Sequence, residues 1–169
     1  MKWFLMFLIV LQTSLLCAQS KPGSFDQRIA KTADGMVCDV PDEEKPVTLN
    51  AKLVADLEGD SIAVIVKACL APGWHLYAYV PDNMPYLLTE CLLEHDAGVK
   101  LVGAWIKSTP KPSTTDKGVL IYEDVAVFTH KLKKTSESVK GKISTGLYYQ
   151  TCNLKQCLPP VEAKIELTY

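Results

Sequence analysis

The sequence predicts an all-β sandwich, and three observations lead to this prediction. From Val47 onward, short runs of β-branched and aromatic residues alternate with polar residues, which is the period-two pattern of half-buried strands. Turn signals such as Glu58-Gly59-Asp60 separate these runs at the spacing typical of sandwiches. No long helical period competes with this pattern after Val47. A chain of 169 residues suits one domain with a sizeable core.

The first residues have the layout of a secretory signal peptide. Lys2 provides a positive charge, residues 3–16 are apolar, and Ala18 is a small residue suited to cleavage. We expect cleavage after Ala18, which removes residues 1–18. Cys17 raises the alternative of a lipoprotein, but the leucine before it stands where lipoproteins usually carry a small residue. No later apolar run reaches membrane-spanning length, so we expect a soluble extracytoplasmic protein without stable membrane insertion.

Residues 19–46 form a polar segment, which we interpret as an N-terminal arm of the domain at residues 47–169. Proline and glycine punctuate this segment, as in Pro41-Asp-Glu-Glu-Lys-Pro46. Ser24 and Gln27 have the spacing of a capping box. That spacing predicts a short helix ending near Lys31.

The predicted strands follow in order along the domain. The first alternates over residues 47–55, and the turn at 58–60 reverses the chain before a second strand at 62–70. Further strands are predicted at 74–80, 86–94, 100–106, 119–132, 143–150 and 161–167. Because every second residue of such strands faces the core, most of the Val, Leu and Ile content is architectural.

Charge and histidine spacing exclude several classes of function. The formal net charge is −1, so bulk charge attracts neither nucleic acid nor an anionic membrane. His95 and His130 have no partners at ligand spacing. Met84 with His75 and a cysteine suggests a copper carrier, but Met84 lies in a proline-bounded loop and is better interpreted as a packing residue. We therefore expect no metal, no cofactor and no nucleic-acid partner.

Cys152 and Cys157 form the constellation that carries chemistry. The four residues between them fit a hairpin loop. Opposed on the two arms, their Cα atoms would lie ~4.5–5.5 Å apart, within disulfide range. So small a loop adds only ~2 kcal/mol or less of stability, and an accessible disulfide of this kind is suited to exchange. The alternatives are an ordinary structural disulfide and a metal site, although the spacing is unlike the C-x2-C of zinc sites.

Three further cysteines make the total after the signal peptide odd. In an oxidising compartment an odd number leaves a free thiol or an intermolecular link. Cys69 and Cys91 lie in predicted strands, where buried free thiols and a mutual disulfide are both compatible with the sequence. Cys38 lies in the arm and is the candidate for the odd thiol.

Three motifs, in this order along the chain, carry a family resemblance. They are Gly73-Trp-His-Leu-Tyr77, Ile121-Tyr-Glu-Asp124, and Tyr149-Gln-Thr-Cys152 followed by Cys157-Leu-Pro-Pro160. With them, the chain from about Val47 to Tyr169 resembles the N-terminal periplasmic domain of DsbD-type thiol:disulfide interchange proteins, also described as disulfide bond corrector domains. The resemblance implies a periplasmic immunoglobulin-like β-sandwich with the cysteine pair near one end.

The resemblance also implies a thiol:disulfide oxidoreductase that relays electrons without an organic cofactor. Such domains receive electrons from a thioredoxin-like domain fed by a membrane-embedded reductase. These domains pass the electrons to oxidised periplasmic oxidoreductases or to proteins of cytochrome c biogenesis. By this resemblance Cys157 forms mixed disulfides with partners and Cys152 resolves them. The sequence ends at Tyr169, after the last predicted strand, so we expect the reductase and the thioredoxin-like domain on separate chains. The alternative is a non-catalytic immunoglobulin-like binding module whose hairpin disulfide is structural.

By motif position, several residues are expected to line the pair, under a cap loop at 113–118. They are His75, Tyr77, Tyr149, Asp116, Tyr122 and Lys155. The cap loop lacks the aromatic residue that shields the disulfide in the family, so Asp116 is expected to act there, or Tyr122 to provide the shield. Lys155 is the only basic residue adjacent in sequence that favours a thiolate. The plainer interpretation of His75 is a partly buried strand histidine.

Overall fold

The computed structural model describes residues 24–136 and 139–169, so the predicted signal peptide lies outside the described residues. These residues form one helix, α1 (Phe25–Gly35), and eleven strands. The strands are β1 (Val47–Ala55), β2 (Ser61–Leu70), β3 (His75–Tyr79), β4 (Glu90–His95), β5 (Val99–Lys107), β6 (Lys111–Pro112), β7 (Leu120–Glu123), β8 (Val125–Lys134), β9 (Lys142–Tyr149), β10 (Thr151–Cys152) and β11 (Val161–Thr168). No helix within the described ranges is long and apolar enough to cross a membrane.

Two antiparallel sheets have the strand order of an immunoglobulin domain. One sheet runs β1-β2-β8-β5 and the other β11-β9-β4. Lettered A to G along the chain, these seven strands give sheets ABED and CFG, which is the constant-type immunoglobulin arrangement. The predicted immunoglobulin-like β-sandwich is therefore confirmed.

The main core lies between these two sheets and is built from alternating strand residues. Val64 and Val66 of β2, Phe128 of β8, and Ile143 and Leu147 of β9 are all fully buried. Burying a side chain of this size contributes ~1.5–3 kcal/mol, so these positions stabilise the sandwich on which the site is built.

A third sheet, in the order β10-β3-β7-β6, is made entirely of inserts between the immunoglobulin strands. Its strand β3 follows β2, β6 and β7 precede β8, and β10 follows β9. The end of β2 pairs with the start of β8, and the end of β9 pairs with the start of β11, so all the inserts leave the sandwich at one end. Their buried side chains form a second small core.

Two predicted strands require correction. The run at 119–132 divides at Asp124, whose φ of 60° turns the chain, so that β7 and β8 enter different sheets. Aspartate is among the few residues that tolerate this left-handed conformation. The strand predicted from residue 86 begins at Glu90 instead, because residues 87 and 89 donate their N–H groups to Gln150 and Tyr77 outside β4.

The arm packs across the outer face of the β1-β2-β8-β5 sheet. Ser24 and Gln27 form the predicted capping box, and α1 continues to Gly35, beyond the predicted end. The apolar face of the arm consists of Ile29, Ala33 and Met36. It covers Val54 of β1 and Ala63 and Ile65 of β2. Lys67 Nζ donates to the carbonyls of Ala33 (3.0 Å) and Met36 (2.8 Å), where the helix end carries partial negative charge.

A disulfide between Cys38 and Cys69 fastens the arm to β2, with the Cα atoms 6.1 Å apart. The expectation that Cys38 is the odd thiol is therefore wrong. Among the cysteines of residues 24–136 and 139–169, the free thiol belongs to Cys91 on β4, which is partly buried. Sequence spacing does not reveal this pairing, because the partners are 31 residues apart and meet only when the arm folds back on the sheet.

Candidate functional site

The Cys152–Cys157 disulfide closes a tight hairpin at the start of the segment that leads to β11. The two residues face each other as an isolated antiparallel bridge, with Cα atoms 4.0 Å apart. Asn153 shapes the turn, because its Oδ1 accepts the N–H groups of Lys155 (2.8 Å) and Gln156 (2.9 Å). The cysteines therefore oppose each other as their spacing predicts, slightly closer than expected.

The two cysteines differ in exposure. Cys152 is 2% exposed and packs with Tyr77, Val119 and Ile121 in the small core of the inserted sheet. Cys157 is exposed at the surface. Cys157 is therefore the more accessible of the two to a thiolate arriving from solution.

A cavity of about 230 Å³ lies against the disulfide. Residues from β3, the cap loop, the β3–β4 connection and the hairpin line it, namely His75, Tyr77, Tyr86, Thr115, Asp116, Cys152, Asn153, Leu154 and Cys157. The disulfide is thus flanked by a cavity that contains an imidazole, two phenols and a carboxylate.

Aromatic contacts organise this cavity. The ring of Tyr77 stacks on that of Tyr86 with centroids 4.6 Å apart, and the Tyr86 hydroxyl donates to Asp116 Oδ1 at 3.3 Å. Burial raises the pKa of Tyr77 well above its ordinary value, and the neighbouring Tyr86 and Asp116 raise it further. The pKa of Tyr86 is also raised, by desolvation and then by Asp116. Both phenols therefore remain protonated at neutral pH.

His75 lies directly opposite Cys152 in the pairing of β3 with β10. The Thr151 hydroxyl donates to the His75 carbonyl at 3.0 Å, and His75 Nε2 lies 3.3 Å from the Tyr77 hydroxyl. Burial lowers the pKa of His75, against the opposing effects of Glu123 and Asp116. The imidazole is therefore mainly neutral at pH 7.

The structure brings together three of the non-cysteine residues expected around the pair. His75, Tyr77 and Asp116 line the cavity. Tyr122 lies in the main core against Phe128, with ring centroids 5.3 Å apart, and Tyr149 is buried in the same core. Both side chains therefore lie away from the cavity.

Lys155 lies on the exposed outer side of the hairpin, where it lines a different cavity with Pro72 and Gly73. Sequence reasoning missed Tyr86, whose ring stacks on that of Tyr77 and lines the cavity. The proline before Tyr86 was the available signal, since proline disfavours the interior of a strand and indicates a loop there.

The structure thus combines an immunoglobulin-like sandwich with a half-exposed disulfide on an inserted hairpin, as the resemblance to thiol–disulfide interchange domains predicts. A family model described as "Thiol:disulfide interchange protein DsbD, N-terminal" matches residues 43–168. The chain therefore belongs to this family.

Two solved structures are similar to this chain. The N-terminal periplasmic domain of ScsB from Proteus mirabilis is 21% identical, with a TM-score of 0.50 over 77% of this chain and 49% of that chain. This chain thus spans about half the length of that relative. The DsbD N-terminal domain of Neisseria meningitidis in its reduced form is 20% identical, with a TM-score of 0.46 over 75% of this chain and 90% of that one. No curated protein matches the chain.

Proposed function

We propose that this chain relays electrons between proteins of the periplasm by thiol–disulfide exchange at Cys152 and Cys157. The observation that carries the proposal is the unequal exposure of the two cysteines, one at the surface and one in a small core. Exchange needs one sulfur that a partner can reach and a second that resolves the mixed disulfide. The hairpin supplies both within a single loop.

Reduction of the pair begins when a donor thiolate attacks the Sγ of Cys157. The Cys152–Cys157 bond breaks, Cys152 leaves as a thiolate and takes up a proton, and a mixed disulfide joins Cys157 to the donor. The second thiolate of the donor then attacks the donor sulfur in the mixed disulfide and releases Cys157. The donor is oxidised to a disulfide, and two electrons now reside on the pair as two thiol groups.

Oxidation of the pair reverses these steps with a different protein. The Cys157 thiolate attacks a disulfide of the acceptor, and Cys152 then displaces the acceptor sulfur from Cys157. We propose a thioredoxin-like domain as donor, fed by a membrane-embedded reductase, both on separate chains. The proposed acceptors are oxidised periplasmic oxidoreductases or cytochrome-maturation proteins, and the chemistry needs no organic cofactor.

The residues around the pair have distinct proposed roles. Tyr77 and Tyr86, with Asp116 held by the Tyr86 hydroxyl, cover the Cys152 side of the disulfide and limit solvent there. Lys155 favours the Cys157 thiolate by its positive charge near the hairpin turn. Tyr122 and Tyr149 support the inserted sheet from the main core below it.

The reduction potential of the pair, measured against glutathione, tests the proposal. A relay requires a potential near those of exchange proteins, whereas structural disulfides lie below about −300 mV. A value in the structural range would contradict the relay and favour a binding module with a structural disulfide.

Trapping gives an independent test with a matched pair of variants. Cys152→Ala leaves the exposed Cys157 without its resolver, so it is expected to accumulate mixed disulfides with periplasmic proteins. Cys157→Ala leaves only the buried Cys152 and is expected to accumulate few. Equal trapping by both variants would contradict the assignment of Cys157 as the point of exchange.

A further inference from the structure

We propose that His75 accepts the proton of the Cys152 thiol when Cys152 resolves a mixed disulfide. The inference rests on the proposed function and adds a specific proton acceptor to it. It follows from the strand pairing around Cys152, from the cavity that both side chains line, and from the charged groups that face the imidazole.

Cys152 needs an internal base because it is buried. Its side chain is 2% exposed and lies among Val80, Val119 and Ile121. An apolar setting disfavours the thiolate, yet only the thiolate attacks a disulfide. The same burial leaves little bulk water beside the Cys152 sulfur to take the proton.

His75 is the base that the fold places beside Cys152. The two residues are direct partners across the antiparallel β3–β10 pair. Side chains in such positions point to the same face, with Cβ atoms ~4.5–5.5 Å apart. Both line the cavity, and the hydrogen bond from Thr151 Oγ1 to the His75 carbonyl holds this pairing in register.

The groups around His75 suit a base that must gain and then lose a proton. Glu123 is its direct partner on β7 and lies 3.7 Å from Lys111 Nζ, while Asp116 faces it from the cap loop. Tyr77 on its own strand contacts Nε2, and Tyr86 stacks behind Tyr77. Burial keeps the resting imidazole neutral, and the two carboxylates stabilise the imidazolium once it forms.

The resolving step then balances as follows. The Cys152 thiol gives its proton to His75, and the resulting thiolate attacks the Sγ of Cys157. The Cys152–Cys157 bond forms while the bond from Cys157 to the partner sulfur breaks. The partner leaves as a thiolate and is reduced by two electrons overall, and the proton on His75 passes to that thiolate or to solvent.

The test measures this step alone with a chromophoric probe. In a Cys91→Ala background, which removes the free thiol, protein reduced at Cys152 and Cys157 with the Cys38–Cys69 disulfide intact is mixed with dithiobis(nitrobenzoate). Attack by Cys157 releases one nitrothiobenzoate and leaves a second bonded to Cys157. Attack by Cys152 then releases the second, and its absorbance reports the resolving rate. The Cys152→Ala variant should lack this second phase, and its absence assigns the phase to attack by Cys152.

His75→Gln is expected to slow the second phase at pH 7 by ~100-fold, the lower end of general-base contributions. The difference should shrink as the pH approaches the pKa of the thiol, because hydroxide then replaces the base. The first phase should change by less than about threefold, since Cys157 is exposed. His95→Gln, an exposed histidine on β4, is the matched control and should leave both phases unchanged. Added imidazole should restore the rate of His75→Ala.

An unchanged pH profile in His75→Gln, with the variant folded, would overturn the role of His75. Loss of the first phase together with the second would indicate a structural role and would also overturn it. Failure of the proposed function looks different. In that case the wild-type protein itself releases no second nitrothiobenzoate, or its pair has a potential in the structural range.

Discussion

The disulfide between Cys38 and Cys69 is expected to stabilise the fold while playing no part in exchange. It closes a loop over 31 residues, compared with 5 for the Cys152–Cys157 pair. In the chain-entropy model these separations correspond to ~3.7 and ~2 kcal/mol at 25 °C. The larger value belongs to the disulfide that fastens the arm to β2. The double variant Cys38→Ala/Cys69→Ala should therefore lower the free energy of unfolding by about 3–4 kcal/mol.

Urea denaturation monitored by tryptophan fluorescence measures this loss of stability. The rate at which glutathione reduces the remaining disulfide measures the reactivity of the Cys152–Cys157 pair. We expect that rate to change by less than about twofold, because the exposed Cys157 remains as it is. Cys91→Ala is the matched control, since it truncates a partly buried cysteine without opening a loop. It should cost no more than ~1 kcal/mol.

A loss below about 1 kcal/mol in the double variant would refute the chain-entropy reasoning. It would mean that the arm is held by its apolar contacts and by Lys67 alone. A large fall in the exchange rate would refute the separation of the two disulfides, because it would show that the arm shapes the hairpin.

Three further outcomes are expected. Tyr86→Phe removes the hydrogen bond to Asp116 and should speed reduction of the pair by glutathione about two- to fivefold, the equivalent of ~0.5–1 kcal/mol; a slower reaction would contradict a covering role. Phe128→Ala should cost about 3–5 kcal/mol in urea unfolding, and a cost under ~1 kcal/mol would contradict its central place in the core. Burial raises the pKa of Cys91 to about 11, so iodoacetamide should label it ~100-fold more slowly at pH 8 than a thiol with a pKa near 9. The labelling rate, followed by mass spectrometry, should increase with pH up to about pH 11. Rapid labelling at pH 8 would contradict the burial of this thiol.

The sequence predicts the sandwich strands well because their side chains alternate with the pleat. Strands such as β1 and β2 are half or fully buried, so their periodicity is visible in the residues themselves. The division at Asp124 is not visible in this way, because apolar strand-forming residues stand on both sides of it and the chain turns there through the positive φ of one residue. Strands of two residues, such as β6 and β10, are too short to show any period.

The site was predictable where it depends on local spacing and not where it depends on chain reversal. The cysteine pair and His75 belong to short motifs, and the structure places them together. Tyr86 reaches the cavity because the chain after β3 folds back and stacks its ring on Tyr77. Nothing in the residues near Tyr86 specifies that contact, and the same holds for the pairing of Cys38 with Cys69.

The inserted sheet places the residues of the site apart from most residues of the sandwich core. Its strands leave the sandwich between successive immunoglobulin strands, all at the same end, and they carry nearly every group that lines the disulfide. Substitutions at the groups that line the disulfide therefore need not change the residues buried between the two immunoglobulin sheets. Such a division lets partner preference and redox poise diverge among relatives of low sequence identity while the scaffold persists. Sequence variation among relatives should accordingly be greatest in the three inserts and least at the residues on the inner faces of the two immunoglobulin sheets.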